Sequence, residues 1–399
     1  MSGEQSSPLA RSLRVASVGV STDLPCGVHD HAVLLVRALE RENVSSSLSW
    51  LWRTQGTLAA SRSQVARWLA QERPKLADGQ LDAILLHYSV FAYSHRGVPL
   101  FVHPVVSALS RLGIPIVSVL HEYAYPWGRG GARGTLWAAT QRAILLDVMR
   151  ASSAIVVTAD FRAAWLKRQP LLPKREAVLA PVFSNLPAPA LDRPAQRRPS
   201  VGLFGYSYEG TAQTLVLDAM ARLHEQGTPA ELRLLGAPGQ DSATGRQWSQ
   251  AARERGLSDA LRFTGIVGPQ ELSDALAGCD VLLFADAPGP TSRKTTLAAS
   301  LASGRPVVAL DGRHTWKELT DSGAALVVAP CADALADAVS GLLLDDARRE
   351  GLGARGRLFA QEAMSVERAA SVVACLLQRV VARGGGADDA EHHRVGRGG

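Results

Sequence analysis

Short, nearly continuous apolar runs alternate with longer amphipathic segments along most of this 399-residue chain. Runs of this kind are typical of parallel strands that helices cover on both faces. The predicted strands span residues 13–20, 81–87, 114–120, 153–158, 200–204, 231–235, 261–264, 281–285, 307–310 and 325–328. The pattern therefore predicts an α/β protein.

The alternation is interrupted once, by residues 185–200, which are rich in Pro and Arg and carry no apolar period. Such a segment is typical of a linker between domains. We expect two doubly wound, Rossmann-like domains that face each other across a cleft. Their predicted ranges are residues 1–190 and 191–383, followed by a disordered, low-complexity tail over residues 384–399.

Composition excludes several other classes of protein. The four cysteines are scattered without a C-x-x-C pair, which argues against a disulfide scaffold, a zinc ribbon and an iron–sulfur protein. No run of about 18 uninterrupted apolar residues predicts a transmembrane helix. Residues 1–10 are polar and lack the apolar centre of a signal peptide. We therefore expect a soluble, cytoplasmic protein.

The net charge is +6, and it favours anionic partners. The basic residues are spread along the chain, and no basic patch interleaved with aromatic residues predicts a nucleic-acid platform. Nucleic acid is thus not an expected partner. A few of these charges are enough to bind a small anionic ligand. The net positive charge also permits contact with an acidic membrane surface.

In the first predicted domain, polar residues follow the strands at their carboxyl ends, where open parallel sheets bind ligands. Gly27 follows the first strand and would let the backbone approach a ligand closely. His29 and His31 resemble a metal pair, but their two-residue spacing points them to different faces of a helix. The other candidates after strands are Tyr88, His121, Glu122, Tyr125 and Trp127.

In the second predicted domain, Arg293 and Lys294 stand directly before a helix that is predicted to start at Thr295. Cations there oppose the helix dipole unless an anion lies between them and the first amides of the helix. A phosphate group would satisfy both cations and the amides together. The alternative is that the side chains of Arg293 and Lys294 point away from the helix into solvent. The sequence contains no P-loop, no complete G-x-G-x-x-G fingerprint and no G-x-S-x-G elbow.

Together these features resemble the GT-B glycosyltransferases, and in particular their large retaining family that includes sucrose synthase-like and bacterial polysaccharide enzymes. The resemblance covers most of residues 13–380. The similar segments are PCGV at residues 25–28, TGIV at 264–267 followed by Leu272 and Cys279-Asp280, and ASGRPVV at 302–308.

The sequence departs from that family at its two glutamates, which are eight positions apart. Thr291 and Ala299 stand at these positions, and Ser292-Arg293-Lys294 replaces the usual G-F-G. The Arg and Lys that usually follow the first strand of the second domain are replaced by residues 205–210. Our hypothesis is that the cations for the diphosphate have moved to Arg293 and Lys294.

The resemblance implies a transferase that moves a sugar from a nucleotide-diphosphate sugar to a hydroxyl of a sugar, a lipid-linked glycan or a natural product, without a metal or other cofactor. The implied catalytic residues are His121, Arg293 and Lys294. The implied donor-binding residues are Gly27, Gly205, Tyr206, Gly265, Ile266, Val267, Ser292, Thr295 and Thr296. The implied acceptor-binding residues are His29, Tyr88, Glu122, Tyr125 and Trp127. The alternatives are a noncatalytic nucleotide-sugar or glycan-binding protein and a nucleotide-sugar epimerase. Location at the inner face of the membrane is compatible with this function.

Overall fold

The structure is a computed structural model that describes residues 11–22, 26–190, 198–207, 211–236 and 238–395, with side chains up to residue 383. The chain divides into two compact units. The first comprises Met1–Thr158, Arg162–Ala180 and Ala369–Gly399. The second comprises Ala159–Phe161 and Pro181–Arg368. The sequence predicts a division at residue 190 instead, in a segment of which residues 191–197 lie outside the described part.

The first unit is built around a six-stranded parallel sheet. Its elements in chain order are β1 (Leu13–Ser21), α1 (Gly27–Leu39), β2 (Val44–Trp52), α2 (Leu58–Leu76), β3 (Ala83–Ser89), α3 (Val102–Ser110), β4 (Ile116–Glu122), α4 (Gly131–Ala151), β5 (Ser152–Val157), α5 (Asp160–Arg168) and β6 (Glu176–Leu179). The strand order is β2-β1-β3-β4-β5-β6, so the direction of winding reverses between β1 and β3.

The second unit repeats this architecture with a different strand order. Its elements are β7 (Ser200–Phe204), α6 (Gln213–Glu225), β8 (Glu231–Leu235), α7 (Ala243–Arg253), β9 (Leu261–Phe263), α8 (Pro269–Ala277), β10 (Val281–Phe284), α9 (Thr295–Ala302), β11 (Val307–Leu310), α10 (Lys317–Asp321), β12 (Leu326–Val328), α11 (Ala332–Leu344), α12 (Asp346–Ala363) and α13 (Val366–Val395). The order β12-β11-β10-β7-β8-β9 reverses between β7 and β10.

The two parallel sheets confirm the predicted α/β, doubly wound fold. The central strands are buried along their whole length, as in β3 and β10, because helices cover both faces of each sheet. Ligands bind such sheets at the carboxyl ends of the strands, at the point where the winding reverses. The two reversals, β1/β3 and β7/β10, therefore mark where a site is expected in each unit.

Strands β2 and β6 were not predicted; both lie at edges of the first sheet, and serines interrupt the apolar residues of β2. The β2 sequence VSSSLSWLW alternates buried and exposed positions. Helix α13 also departs from the prediction, since its residues from Ala369 onward belong to the first unit. There Arg379 and Arg383 both form ion pairs with Glu176 of β6 at 2.8 Å.

The structure assigns α13 up to Val395, across most of the segment for which the sequence predicts a disordered tail. Residues 396–399 lie outside the described part of the chain. Among the described residues, no helix combines the length and the apolar character that a membrane span requires.

Candidate functional site

The loop that follows β10 reaches the amino end of α9 at the strand reversal of the second unit. We call residues 285–294 the cation loop. Helix α9 begins at Thr295 as predicted, and Lys294 is its N-cap residue in an extended conformation. The ammonium group of Lys294 lies 2.7 Å from a carboxylate oxygen of Asp286. The chain thus supplies a carboxylate to a cation that the helix dipole would otherwise disfavour.

A second loop holds the cation loop in place. The amides of His314 and Trp316, which follow β11, donate hydrogen bonds to the carbonyls of Pro288 and Pro290 at 2.9 and 2.8 Å. Gly289 has a φ of +89°, and a Cβ atom there would collide with the Thr315 side chain and the Gly312 backbone. Only glycine fits this close approach without strain.

The middle of the cation loop is buried rather than solvated. Thr291 is 3% exposed, and its hydroxyl has no hydrogen-bond partner among the described residues. Ser292 is fully buried, and its carbonyl accepts a hydrogen bond from the amide of Val182 at 2.8 Å. Arg293 and Thr295 are partly exposed, whereas Thr296 is buried. An unsatisfied buried hydroxyl is costly, so Thr291 is suited to a polar ligand group.

The loop after β7 joins the cation loop at the same strand reversal. The carbonyl of Gly205 accepts a hydrogen bond from the Thr211 hydroxyl at 3.3 Å, and Thr211 forms a β-bridge with Asp286. Gly205 has a φ of +90°, which favours glycine at this turn. This part of the loop is therefore anchored beside the Asp286–Lys294 pair. Tyr208, Glu209 and Gly210 lie outside the described residues.

Tyr206 is part of the core instead of the surface. Its ring is 2% exposed and lies edge-on to Trp248 and Phe263. Its hydroxyl accepts a hydrogen bond from the Gly239 amide at 2.8 Å. Burial raises the pKa of Tyr206, and the Gly239 hydrogen bond partly offsets this. In this conformation Tyr206 positions a loop and offers a ligand no surface.

The segment after β9 presents the other predicted donor residues. Gly265 has a φ of +71°, and Ile266 is 82% exposed. Gly265 and Val267 are partly exposed. The Thr264 hydroxyl accepts a hydrogen bond from the Gly236 amide at 2.8 Å, which ties this segment to the end of β8. The arrangement leaves an apolar side chain open to a flat, apolar ligand group.

In the first unit, three histidines come together near the β1/β3 reversal. We call His31, His87 and His121 the imidazole cluster. His31 lies on α1, His87 on β3 and His121 on β4. A ring nitrogen from each lies within 4.8 Å of the others. His87 and His121 are nearly parallel, and their Nδ1 and Nε2 atoms are 3.1 Å apart.

The surroundings of the cluster keep its rings neutral. Burial lowers the pKa of His31 to about 4. Burial and the neighbouring His31 hold the pKa of His87 well below its usual range. Burial also lowers the pKa of His121, with His31, His87 and Arg162 adding to the effect. At neutral pH each ring therefore offers one nitrogen lone pair.

The start of α1 is arranged differently from the prediction for Gly27 and His29. A Cβ at Gly27 would meet nothing within 4 Å, so the backbone there does not require glycine. His29 packs against Trp50 and Trp52, with ring centroids 5.1 and 4.8 Å away. It thus points away from the imidazole cluster, as its spacing from His31 predicts. Residues 23–25, which include Pro25 of the PCGV segment, lie outside the described part.

The predicted acceptor residues divide into one buried residue and a partly open group. Tyr88 is fully buried, so its side chain lines no surface, and burial raises its pKa. Glu122 is partly buried at the end of β4. The amide of Tyr125 is held by the Gln141 side chain at 2.7 Å. Trp127 is 55% exposed and stacks under the guanidinium of Arg142.

The sequence reasoning missed Asp286. It noted that His87 follows a strand but did not connect it with His121, and it set aside His31 as a metal ligand. The signal for Asp286 was its position directly after a buried strand, which the search for basic residues passed over. The link between His31 and His87 had no local signal, because 56 positions separate them and only the sheet brings them together. The roles predicted for the other site residues remain predictions.

Comparisons with known proteins give the same fold. Sucrose-phosphate synthase from Thermosynechococcus elongatus superposes with a TM-score of 0.67 and 17% identity, covering 93% of this chain and 100% of that one. HepE from Anabaena, in complex with UDP and glucose, gives 0.65 and 16%, covering 92% and 100%. A glycosyltransferase from Rickettsia africae gives 0.65 and 11%, covering 93% and 99%.

At the level of sequence, no curated protein matches the chain. Residues 198–345 match the family model described as glycosyl transferases group 1. This range contains both the cation loop and the β7/β10 reversal. The chain therefore has the GT-B glycosyltransferase fold, and residues 198–345 of its second unit are similar to the glycosyl transferases of group 1.

Proposed function

We propose that the protein is a retaining glycosyltransferase that uses a nucleotide-diphosphate sugar. The observation that carries the proposal is the cation loop, which brings Arg293 and Lys294 to the amino end of α9 at the strand reversal. Helix amino ends and basic side chains together favour phosphate groups. HepE was crystallised with UDP-glucose, so uridine diphosphate sugars are the first donors to test.

In this proposal the donor contacts follow the chemistry of each segment. Arg293, Lys294 and the amides of Thr295 and Thr296 bind the diphosphate. The buried hydroxyl of Thr291 replaces one of the family's carboxylates as a polar contact to the donor. The exposed Ile266 packs against the base. Ser292 and Tyr206 are buried, and we assign them the role of holding their loops in shape.

The transfer step needs no protein carboxylate. The bond between the anomeric carbon and the leaving diphosphate oxygen breaks, and the acceptor oxygen forms a bond on the same face of the sugar. The acceptor hydroxyl proton passes to the leaving diphosphate, whose charge the cations stabilise. His121 supplies a polar contact to the transferred sugar, and the segment from Glu122 to Trp127 binds the acceptor. We propose that this step uses no metal.

Nucleotide binding by calorimetry tests the proposal. Arg293→Ala and Lys294→Ala are each expected to weaken UDP binding about tenfold or more, because each removes a charge-assisted contact. Lys317→Ala is the matched control, since Lys317 lies in the same unit, is exposed and pairs with Asp321. Equal affinity in all three variants and the wild type would refute the site.

Product analysis separates the proposed activity from its two alternatives. With a panel of sugar donors and acceptors, a transferase yields a glycoside that retains the anomeric configuration and the free nucleotide. With donor alone, an epimerase releases an altered sugar. A noncatalytic binder would bind the donor at the cation loop and form neither product. Chelation of metals is expected not to abolish transfer.

A further inference from the structure

The imidazole cluster brings three ring nitrogens into one small space and has no carboxylate among its members. Two of its rings, His31 and His87, are buried, whereas His121 is partly exposed. The ring centroids of His31 and His121 are 4.9 Å apart, and those of His87 and His121 are 5.4 Å apart. The nitrogens thus converge at a point that is open to solvent on the His121 side.

A hydroxyl outside the cluster can fix the tautomer of the central ring. His87 Nε2 lies 3.0 Å from the Ser17 hydroxyl, which can accept its proton. That tautomer leaves His87 Nδ1 bare and directed at His121 Nε2. The His121 carbonyl is in turn held by the Arg162 guanidinium. A ligating histidine is usually oriented in this way through its other ring nitrogen.

The spacing of the nitrogens matches the coordination shell of a transition metal. Two imidazole nitrogens that bind one zinc ion tetrahedrally lie about 3.3 Å apart. The Nδ1 of His87 and the Nε2 of His121 are 3.1 Å apart, and the third nitrogen lies within 4.8 Å of both. A small side-chain adjustment at His31 would complete a three-nitrogen set. Neutral imidazoles favour Zn²⁺, Co²⁺, Ni²⁺ and Cu²⁺ over Mg²⁺ and Ca²⁺.

We propose that His31, His87 and His121 form a binding site for a divalent transition-metal ion, of which Zn²⁺ is the expected occupant. Ser17 orients His87, and water or hydroxide fills the fourth position on the exposed side. Because the ligands are already neutral, the ion has to displace only the proton shared between His87 and His121, which moves to the other nitrogen of one ring.

This site shares His121 with the transfer chemistry proposed above, which itself uses no metal. One consequence rests on that proposed function: an ion that takes a nitrogen of His121 removes it from the donor sugar. Zn²⁺ is then expected to inhibit transfer rather than support it. Metal binding itself can be measured without any donor, so a failure of the site and a failure of the transferase proposal are distinguishable.

Titration of the untagged, chelator-treated full-length protein with Co²⁺ tests the site by visible absorption. The wild type is expected to bind one Co²⁺ per chain with the spectrum of a tetrahedral ion, which Zn²⁺ then displaces. His31→Gln and His121→Gln are expected to abolish this spectrum. Ser17→Ala keeps all three ligands and is expected to weaken binding about tenfold.

His29→Gln is the matched control, because His29 lies on the same helix and faces Trp50 instead of the cluster. Replacement of His392 and His393 controls for binding by the tail; in both controls the Co²⁺ spectrum is expected to persist. If circular dichroism shows that His31→Gln does not fold, the His121→Gln and Ser17→Ala variants still test the site, because His121 is partly exposed. Absence of a tetrahedral spectrum in the wild type, or its survival in His121→Gln, would overturn the proposal.

Discussion

The two strand reversals of this molecule share a topology and differ in chemistry. At β1/β3 the chain gathers three neutral imidazoles, whereas at β7/β10 it gathers two cations and one carboxylate at a helix amino end. The β1/β3 reversal thus suits a soft cation and the β7/β10 reversal suits an anion. In each unit the parallel sheet sets where these side chains meet, while the residues near the strand ends and the helix starts set the chemistry found there.

The largest expected effect is the response of the first unit to acid. The pKa of His31 is lowered from 6.5 to about 4, so between these values the unfolded chain binds the proton more readily than the folded one. Stability is therefore constant above about pH 7 and falls as the pH drops to 4, by about 3 kcal/mol from His31 alone. Ser17, Trp50 and Arg162 contact the cluster, and none of them carries a negative charge that would offset a proton on His31.

Hydrogen exchange resolved by peptide, in the presence of a chelator, measures this effect in each unit separately. Exchange in β1, β3 and β4 is expected to accelerate between pH 6.5 and 4, after correction for the intrinsic rate, while β7 and β10 change less. In His31→Gln the acid response of the first unit is expected to shrink. An equal acid response in wild type and variant would show that His31 does not control it.

The second largest effect separates the ligands of the two reversals. The double variant Arg293→Ala/Lys294→Ala is expected to weaken UDP binding about 100-fold, because it removes both charge-assisted contacts. Co²⁺ binding at the imidazole cluster is expected to be unchanged in this variant. His31→Gln is expected to do the reverse. Calorimetry measures UDP binding, and visible absorption measures Co²⁺ binding. If either variant loses both ligands, the two sites are not independent.

The sequence predicts features that a local segment encodes, and it fails for features that depend on distant segments. The buried central strands and the start of α9 are encoded locally, by apolar runs and by the loop before Thr295, and both were predicted correctly. Strand β2 was not, since an edge strand buries only part of its side chains and its serines hide the pattern. The imidazole cluster depends on pairing between strands, which no local pattern of the sequence encodes.

Burial also separates the predicted site residues that a ligand could contact from those that it could not. In the sequence, Tyr88 and Tyr206 stand at the ends of predicted strands just as His121 does, so no local pattern distinguishes them. In the structure both tyrosines fill the core, because Tyr88 lies within β3, which runs to Ser89, and Tyr206 packs against Trp248 just after β7. The face that such a residue occupies depends on where the strand ends, which is the least predictable feature of an element.

A third prediction concerns the rigidity of the cation loop. Gly289→Ala adds a Cβ where φ is +89° and where the Thr315 side chain and the Gly312 backbone already lie. We expect a loss of about 2 kcal/mol in the free energy of unfolding, from backbone strain and the collision together. Gly227→Ala, at a similar φ of +79° with no neighbour within 4 Å, is the control. Urea unfolding of both variants checks this, and equal losses would mean that the contact with the second loop contributes nothing.

The smallest expected effect tests the role of Asp286 in the second unit. Asp286→Asn keeps the shape of the side chain and removes the negative charge beside Lys294, which lies 2.7 Å away. Two opposing results are expected, because the carboxylate stabilises the ligand-free loop but repels a diphosphate. Thermal stability without ligand should fall slightly, and UDP should bind about three- to tenfold more tightly, which corresponds to about 1 kcal/mol. Asp321→Asn, which removes the exposed partner of Lys317, should change neither quantity. Weaker UDP binding in Asp286→Asn would show instead that the carboxylate positions Lys294 for the phosphate. The β7/β10 reversal would then differ from the neutral β1/β3 reversal because its carboxylate orients a cation.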